Sequence, residues 1–252
     1  MALLSDLINT LPNGDISQVI IGLHWTAVVS EIEGHRHCGL ASTFAEKHDH
    51  HNAPDVPNAG QLDTSNSLVL ASYAQSDSPV MRSVAIAAIN SLLPFHNQSL
   101  IEQNAEQVIA TQGKGKNVVL VGSFPFIPRL KPHVRKLTVL EINPHPGELP
   151  ETSAHDVIPA ADLVAITGMS LINRTFESLL ELCSPKALIM LLGPSAPLSP
   201  VLFDHGVDLI CGSVVTNIEP VLKAVCQGAN FRQVHRAGVQ LVSVVNQNKL
   251  EE

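Results

Sequence analysis

Residues 113–128, GKGKNVVLVGSFPFIP, divide the chain into two halves with different rhythms. GKGKN is a short glycine- and lysine-rich connector. NVVLVG is an aliphatic run too short for a helix, so it reads as a strand buried on both faces. The apolar runs LTVLEI (137–142), DLVAIT (162–167), ALIMLLG (187–193), GVDLICG (206–212) and VQLVSVV (239–245) follow it. Helical patterns such as NRTFESLLELC (173–183) and NIEPVLKAVCQG (217–228) lie between most of them. This alternation predicts a doubly wound, Rossmann-like parallel sheet, whose ligands lie beyond the carboxyl ends of the strands.

Upstream of the connector the pattern differs. Residues 3–11 spell a short helix, and DISQVIIGL (15–23), WTAVVSEI (25–32) and CGLASTF (38–44) read as consecutive strands. They form an antiparallel meander, the last two strands joined by a turn at EGHRH. A polar stretch, 46–66, leads into two helices, SNSLVLASYA and SPVMRSVAIAAINSLL, the second with Pro79 near its first turn. NAEQVIATQ adds a third. The expected fold class is therefore α/β, with an N-terminal α+β meander domain over 1–112 and a Rossmann-like domain over 113–252.

Composition narrows the partners. The 252 residues are 45% hydrophobic, enough for a real core, and carry a net charge of −8 without a Lys/Arg cluster. That balance disfavours nucleic acid and anionic membrane surfaces and leaves small molecules or metal ions, with a homo-oligomer open. The first residues lack a basic n-region, and ALIMLL (187–192) is too short to span a bilayer, so a soluble, unprocessed chain is expected. Cys38, Cys183, Cys211 and Cys226 show no CxxC spacing, which fits a reduced cytoplasm. The last three sit in apolar patterns and read as core.

Unusual residues gather at the strand ends. VGSFPFIP offers only the N–H groups of Gly122, Ser123 and Phe124 before Pro125 interrupts, in place of a GxGxxG. Glu141 ends the next strand, where an acid would take a ribose diol; a solvated carboxylate or a partner for Arg135 or Lys136 is an equal reading. In NPHPGELP, His145 and Glu148 offer possible metal ligands. After the third strand, Asn173 is a candidate N-cap and Glu177 lies where a helix dipole favours an acid. LLGPSAPLSP, with three prolines, reads as a rigid platform. There is no GxSxG elbow, so nucleophilic catalysis has little support.

GLHWTAVV, CGLASTF, VGSFPFIPRL, LPETSAHDVIPAADLVAITGMSLINRTFESLLELC and LLGPSAPLSPVLFDHGVDLICGSVV together resemble the putative heavy-metal chelation family. The resemblance covers most of the chain and implies an enolase N-terminal-like domain followed by a Rossmann-like one, with a ligand site in the cleft between them. It places Gly122, Phe124, Glu141, Thr167, Gly168, Asn173, Thr175, Gly193, Pro194 and Ser195 at matching positions of that site. Where the family often shows Gly-Asp, this chain has Gly147-Glu148, which keeps the carboxylate on a longer side chain.

GHRHCGLASTFAEKHDHHNAP (34–54) holds five of the twelve histidines, and those of HRHC and HDHH lie outside the recognised pattern. His35, His37, His48 and His50 are candidate ligands for Zn²⁺, Ni²⁺ or Cu²⁺, with Cys38 as a soft addition. Exposed polar loops with weak metal affinity are the favoured reading, because Arg36 and Lys47 put positive charge beside any cation. His24, beside Trp25, is the histidine expected to face the cleft. The function expected is binding of a metal ion, in particular a divalent transition metal, or of a metal-chelating small molecule in the cleft, with enzyme activity left open. The alternative is a nucleotide-cofactor enzyme in which Gly122 and Glu141 hold a nucleoside.

Overall fold

The computed structural model describes residues 2–45, 54–93 and 100–246. It is an α/β structure with two sheets. β1 (Asp15–Ile21), β2 (Trp25–Ile32) and β3 (His35–Ser42) form an antiparallel meander. The second sheet contains β4 (Asn117–Val121), β5 (Lys136–Glu141), β6 (Leu149–Pro150), β7 (Leu163–Thr167), β8 (Leu188–Leu192), β9 (Leu209–Val215) and β10 (Val239–Val245). Its order is β10-β9-β8-β7-β4-β5-β6.

Three local expectations need correction. The meander turn is only Glu33–Gly34, with φ of 52° and 78°, so β3 begins at His35 rather than Cys38. Two successive positive φ values give the tight turn that matches strand twist. Next, β10 runs antiparallel to β9, whereas β4, β5, β7, β8 and β9 are parallel. The cause is the helix pair Ile218–Cys226 and Phe231–Gly238, which returns the chain to the end it left; the Thr216 N–H donates to Gly238 O at 2.7 Å across its base. Finally, the expected helix 173–183 is broken. Helices Met169–Ile172 and Phe176–Glu181 flank Arg174, which sits at φ 66°. β6, a two-residue edge strand holding Pro150, was not foreseen; proline suits an edge because it cannot donate to a ladder.

Alternation along the parallel strands fills two layers. Val119, Val121, Val164, Ile166, Leu191 and Ile210 join one cluster with Leu3, Leu4, Met81, Ile86 and Ile89 from the N-terminal half. Val118, Leu120, Leu163, Ala165 and Met190 face the other way, against Val108, Ile109 and Leu130. A third cluster packs Ala27, Val29 and Leu40 of the meander on Val221, Val225 and Val234 of the C-terminal helix pair. The two halves of the sequence thus share one continuous core. Among the described residues no helix is long and apolar enough to cross a membrane.

Helix Pro79–Leu92 is buried along all but one of its positions and starts cleanly, with Ser78 accepting from the Met81 N–H and Pro79 in the first turn. It lies directly on Gly39 of β3: a Cβ there would stand 2.1 Å from Ala87 O and 2.3 Å from Ser91 N. Both are helix backbone, so no side chain can swing aside. Gly39→Ala is expected to cost about 3 kcal/mol in urea unfolding, through overpacking. Gly206→Ala, at φ +88° with nothing within 4 Å, should cost about 1 kcal/mol from backbone strain alone. Equal stabilities for the two variants would refute this seating of the helix.

Candidate functional site

The carboxyl ends of β4, β5, β7, β8 and β9 open into a cavity of ≈ 1100 Å³, walled on the far side by Trp25, Ser42 and Phe44 from the meander region. All ten residues that the resemblance assigns to a site line it.

At the end of β4 the chain turns at Gly122, φ 105°. Its N–H donates to Leu140 O at 2.8 Å, and the next, on Ser123, donates to Glu141 Oε2 at 2.8 Å. Two of the three donors expected to cradle a phosphate are therefore engaged by β5. Glu141 is equally occupied, since its Oε1 accepts from the N–H groups of Ile142 (2.9 Å) and Asn143 (3.4 Å). The carboxylate closes its own turn, so the geometry lends no support to the nucleoside reading. Glu148 reaches back to Ser123 Oγ at 2.7 Å and accepts from the His145 N–H at 2.8 Å. These bonds, the backbone one first, hold its pKa below the usual carboxylate range. Phe124 stacks on Phe126, with centroids 5.2 Å apart and planes at 19°.

After β7, Thr167 Oγ1 accepts from the Met169 N–H at 3.3 Å and Gly168 passes against the next turn. A Cβ on Gly168 would lie 2.6 Å from Ala196 N, so only glycine lets these turns touch. Asn173 caps no helix directly. Its Oδ1 accepts from both the N–H (3.1 Å) and the hydroxyl (2.8 Å) of Thr175, which is the true N-cap. Glu177 accepts from the Leu3 N–H at 3.3 Å and so ties the first helix to this segment.

Following β8, Gly193 takes φ 103° and its carbonyl accepts from the Ala196 N–H. Ser195 is 2% exposed, and its hydroxyl accepts from the Ser42 N–H at 2.8 Å and donates to Ser42 Oγ at 3.2 Å. Pro194 O accepts from Asn90 Nδ2 at 3.3 Å. This turn is pinned to the meander and to helix Pro79–Leu92, so it is a wall held by both halves.

A metal ion fits the described residues poorly. No group of three or more His, Cys, Asp or Glu side chains among them could hold one. His35 and His37 occupy alternate positions of β3, but His48 and His50 lie outside the described residues. His37 has a lowered pKa, chiefly from burial and secondly from His35. Cys38 and Cys211 are buried, and burial pushes their thiols up to about 12 and about 11, so neither offers a thiolate at neutral pH. Cys226, expected in the core, is exposed.

His24 is also misplaced by the sequence reading. It is exposed at the β1–β2 turn and does not line the cavity, whereas Trp25 does. Sequence reasoning also missed Phe126, Phe231, Arg232 and His235 as lining residues. The pair Phe124 and Phe126, set among prolines at a strand end, was the one signal that could have suggested an aromatic wall.

Residues 104–243 match the family DUF364 and residues 4–93 match DUF4213, both described as "Putative heavy-metal chelation". An uncharacterised protein of Methanocaldococcus jannaschii is 26% identical over 208 residues, covering 79% of this chain and 78% of its own. A crystal structure of a DUF364 protein of unknown function from Desulfitobacterium hafniense matches with TM-score 0.82 at 25% identity, over 97% of this chain and 98% of that one. A second, from Pyrococcus horikoshii, matches with TM-score 0.79 at 20% identity over the same shares. The fold agrees along nearly the whole length and the family model covers more than half of it: this chain belongs to the DUF364 family, described as putative heavy-metal chelation proteins.

Proposed function

We propose that the cavity binds a small organic molecule that itself chelates the metal, so that the family's heavy-metal role is exercised on a metal complex and not on a bare ion. The observation that carries this reading is the mismatch between space and ligands. A cavity of ≈ 1100 Å³ has the volume of a site for a drug-sized molecule, while no metal-holding group of side chains stands among the described residues. Of the carboxylates that line it, Glu141 accepts from backbone N–H groups and Glu106 pairs with Arg129, which leaves Glu151, and one carboxylate does not make a metal site. We read residues 1–112 as an enolase N-terminal-like domain and 113–252 as a Rossmann-like domain, with the cavity in the cleft between them. A cytoplasmic protein acting on a diffusible complex fits the acidic charge of −8.

Calorimetric titration of tag-free protein with Zn²⁺ alone, and with preformed zinc complexes of citrate, nitrilotriacetate and 8-hydroxyquinoline-5-sulfonate, tests this proposal. At least one complex should bind stoichiometrically and about tenfold or more tightly than the free ion. His35→Ala/His37→Ala should leave that binding unchanged. Free zinc should show only micromolar or weaker binding at histidines, fading below about pH 6 as imidazole protonates. The share held by His37 should persist to lower pH than an ordinary histidine's, because its lowered pKa keeps the ring neutral longer. Tight stoichiometric binding of free zinc, with none of the complexes bound, would overturn the proposal.

A further inference from the structure

Aromatic residues are scarce in this chain: seven phenylalanines, one tryptophan and one tyrosine in 252 residues. More than half of them, Trp25, Phe44, Phe124, Phe126 and Phe231, line this cavity. They do not arrive there as one cluster. Phe44 packs on the core shared by both halves, Phe124 and Phe126 on the opposite face of the parallel sheet, and Trp25 and Phe231 on the core between the meander and the C-terminal helices. The cavity lies where these three cores meet, and each contributes aromatic residues to its wall.

All five rings are half-buried, with apolar packing behind them, whereas Phe176 is fully enclosed in the core. Leu or Ile would fill such wall positions as well if packing were the whole demand. What rings add is a π surface with preferred offset and tilted geometries. Such geometries already appear: Trp25 and Phe231 are tilted at 54° with centroids 5.6 Å apart, and Phe231 and His235 at 47° and 6.0 Å.

The polar groups narrow the class further. Arg129 is tied to Glu106 through two bonds of 2.7 and 2.6 Å, but Arg232, exposed and lining the cavity, makes no ion pair among the described residues. We infer that the ligand is a flat, conjugated ring system bearing an anionic substituent, an aromatic chelator and not an aliphatic polycarboxylate. This rests on the metal-complex reading of the cavity and names the chemical class of its ligand.

Trp25 is the only tryptophan, so its fluorescence reports the cavity directly. The probes are 8-hydroxyquinoline-5-sulfonate and citrate, each with and without Zn²⁺, with calorimetry alongside to separate binding from optical absorption by the probe. The quinoline complex should quench Trp25 saturably. Phe124→Leu and Phe231→Leu, which keep apolar bulk and remove a ring, should each weaken it about three- to tenfold while melting temperatures stay near the parent's. Binding of zinc citrate with no binding of the quinoline would overturn the ring inference and leave the metal-complex reading standing. Equal binding of the quinoline with and without zinc would keep the ring inference and remove the metal. Quinoline binding unaffected by both leucine variants, or no binding of any probe, would also overturn the ring inference.

Discussion

The closeness of helix Pro79–Leu92 to the meander governs the rest of the molecule. Because Gly39 has no side chain, the helix backbone rests on β3, and its polar groups then reach elements that are distant in sequence. Ser83 Oγ accepts from the Phe44 N–H at 3.0 Å, and Asn90 Nδ2 donates to Leu40 O at 2.8 Å and to Pro194 O at 3.3 Å. Buried Arg82 donates to Ser76 O, Asp77 O and Ile172 O. One helix therefore fixes the end of the meander against the turns that follow β7 and β8, and with them two opposed walls of the cavity. Rigid walls of this kind lower the ordering cost of binding.

Carboxylates are used differently at the two edges of the parallel sheet. At the amino edge, Asp162 accepts from the Asn117 N–H at 2.8 Å and Asp208 from the Ile189 N–H at 2.9 Å, each closing a ladder at a strand start. At the carboxyl edge, Glu141 and Glu148 accept from backbone N–H groups of their own loop and from the N–H and hydroxyl of Ser123 after β4. The first arrangement stabilises the sheet. The second shapes the β5 end of the sheet and fixes the direction of these carboxylates toward N–H and O–H donors. A metal delivered with its own ligands asks nothing of these groups, and the half-buried aromatic residues offer its ligand apolar surface.

Much of this was legible in the sequence. The meander, the parallel strands and the main helices follow from short apolar runs and turn residues, since period and length are local properties. Ten of the residues lining the cavity were grouped by shared motifs and by the rule that βα turns collect at one edge. What escaped the sequence depends on contacts between distant segments. The direction of β10 depends on the pairing of two helices, and Arg174, at the helix break, donates to the carbonyls of Gln75 and Ser76 far away in the sequence. The exchange of His24 for Trp25 turns on one residue of strand phase. The convergence of five aromatic residues was hidden because 25, 44, 124, 126 and 231 belong to three separate cores.

The central claim is that the metal reaches this protein inside its ligand's coordination shell. Anomalous diffraction at the zinc edge, from crystals grown with the zinc complex of 8-hydroxyquinoline-5-sulfonate, locates the ion directly. The account predicts a peak within the cavity bounded by Gly122, Thr167, Gly193 and Phe231, bonded to the quinoline and beyond bonding distance of every His, Cys, Asp and Glu side chain. A peak held by three or more protein side chains at about 2.0–2.3 Å would contradict it.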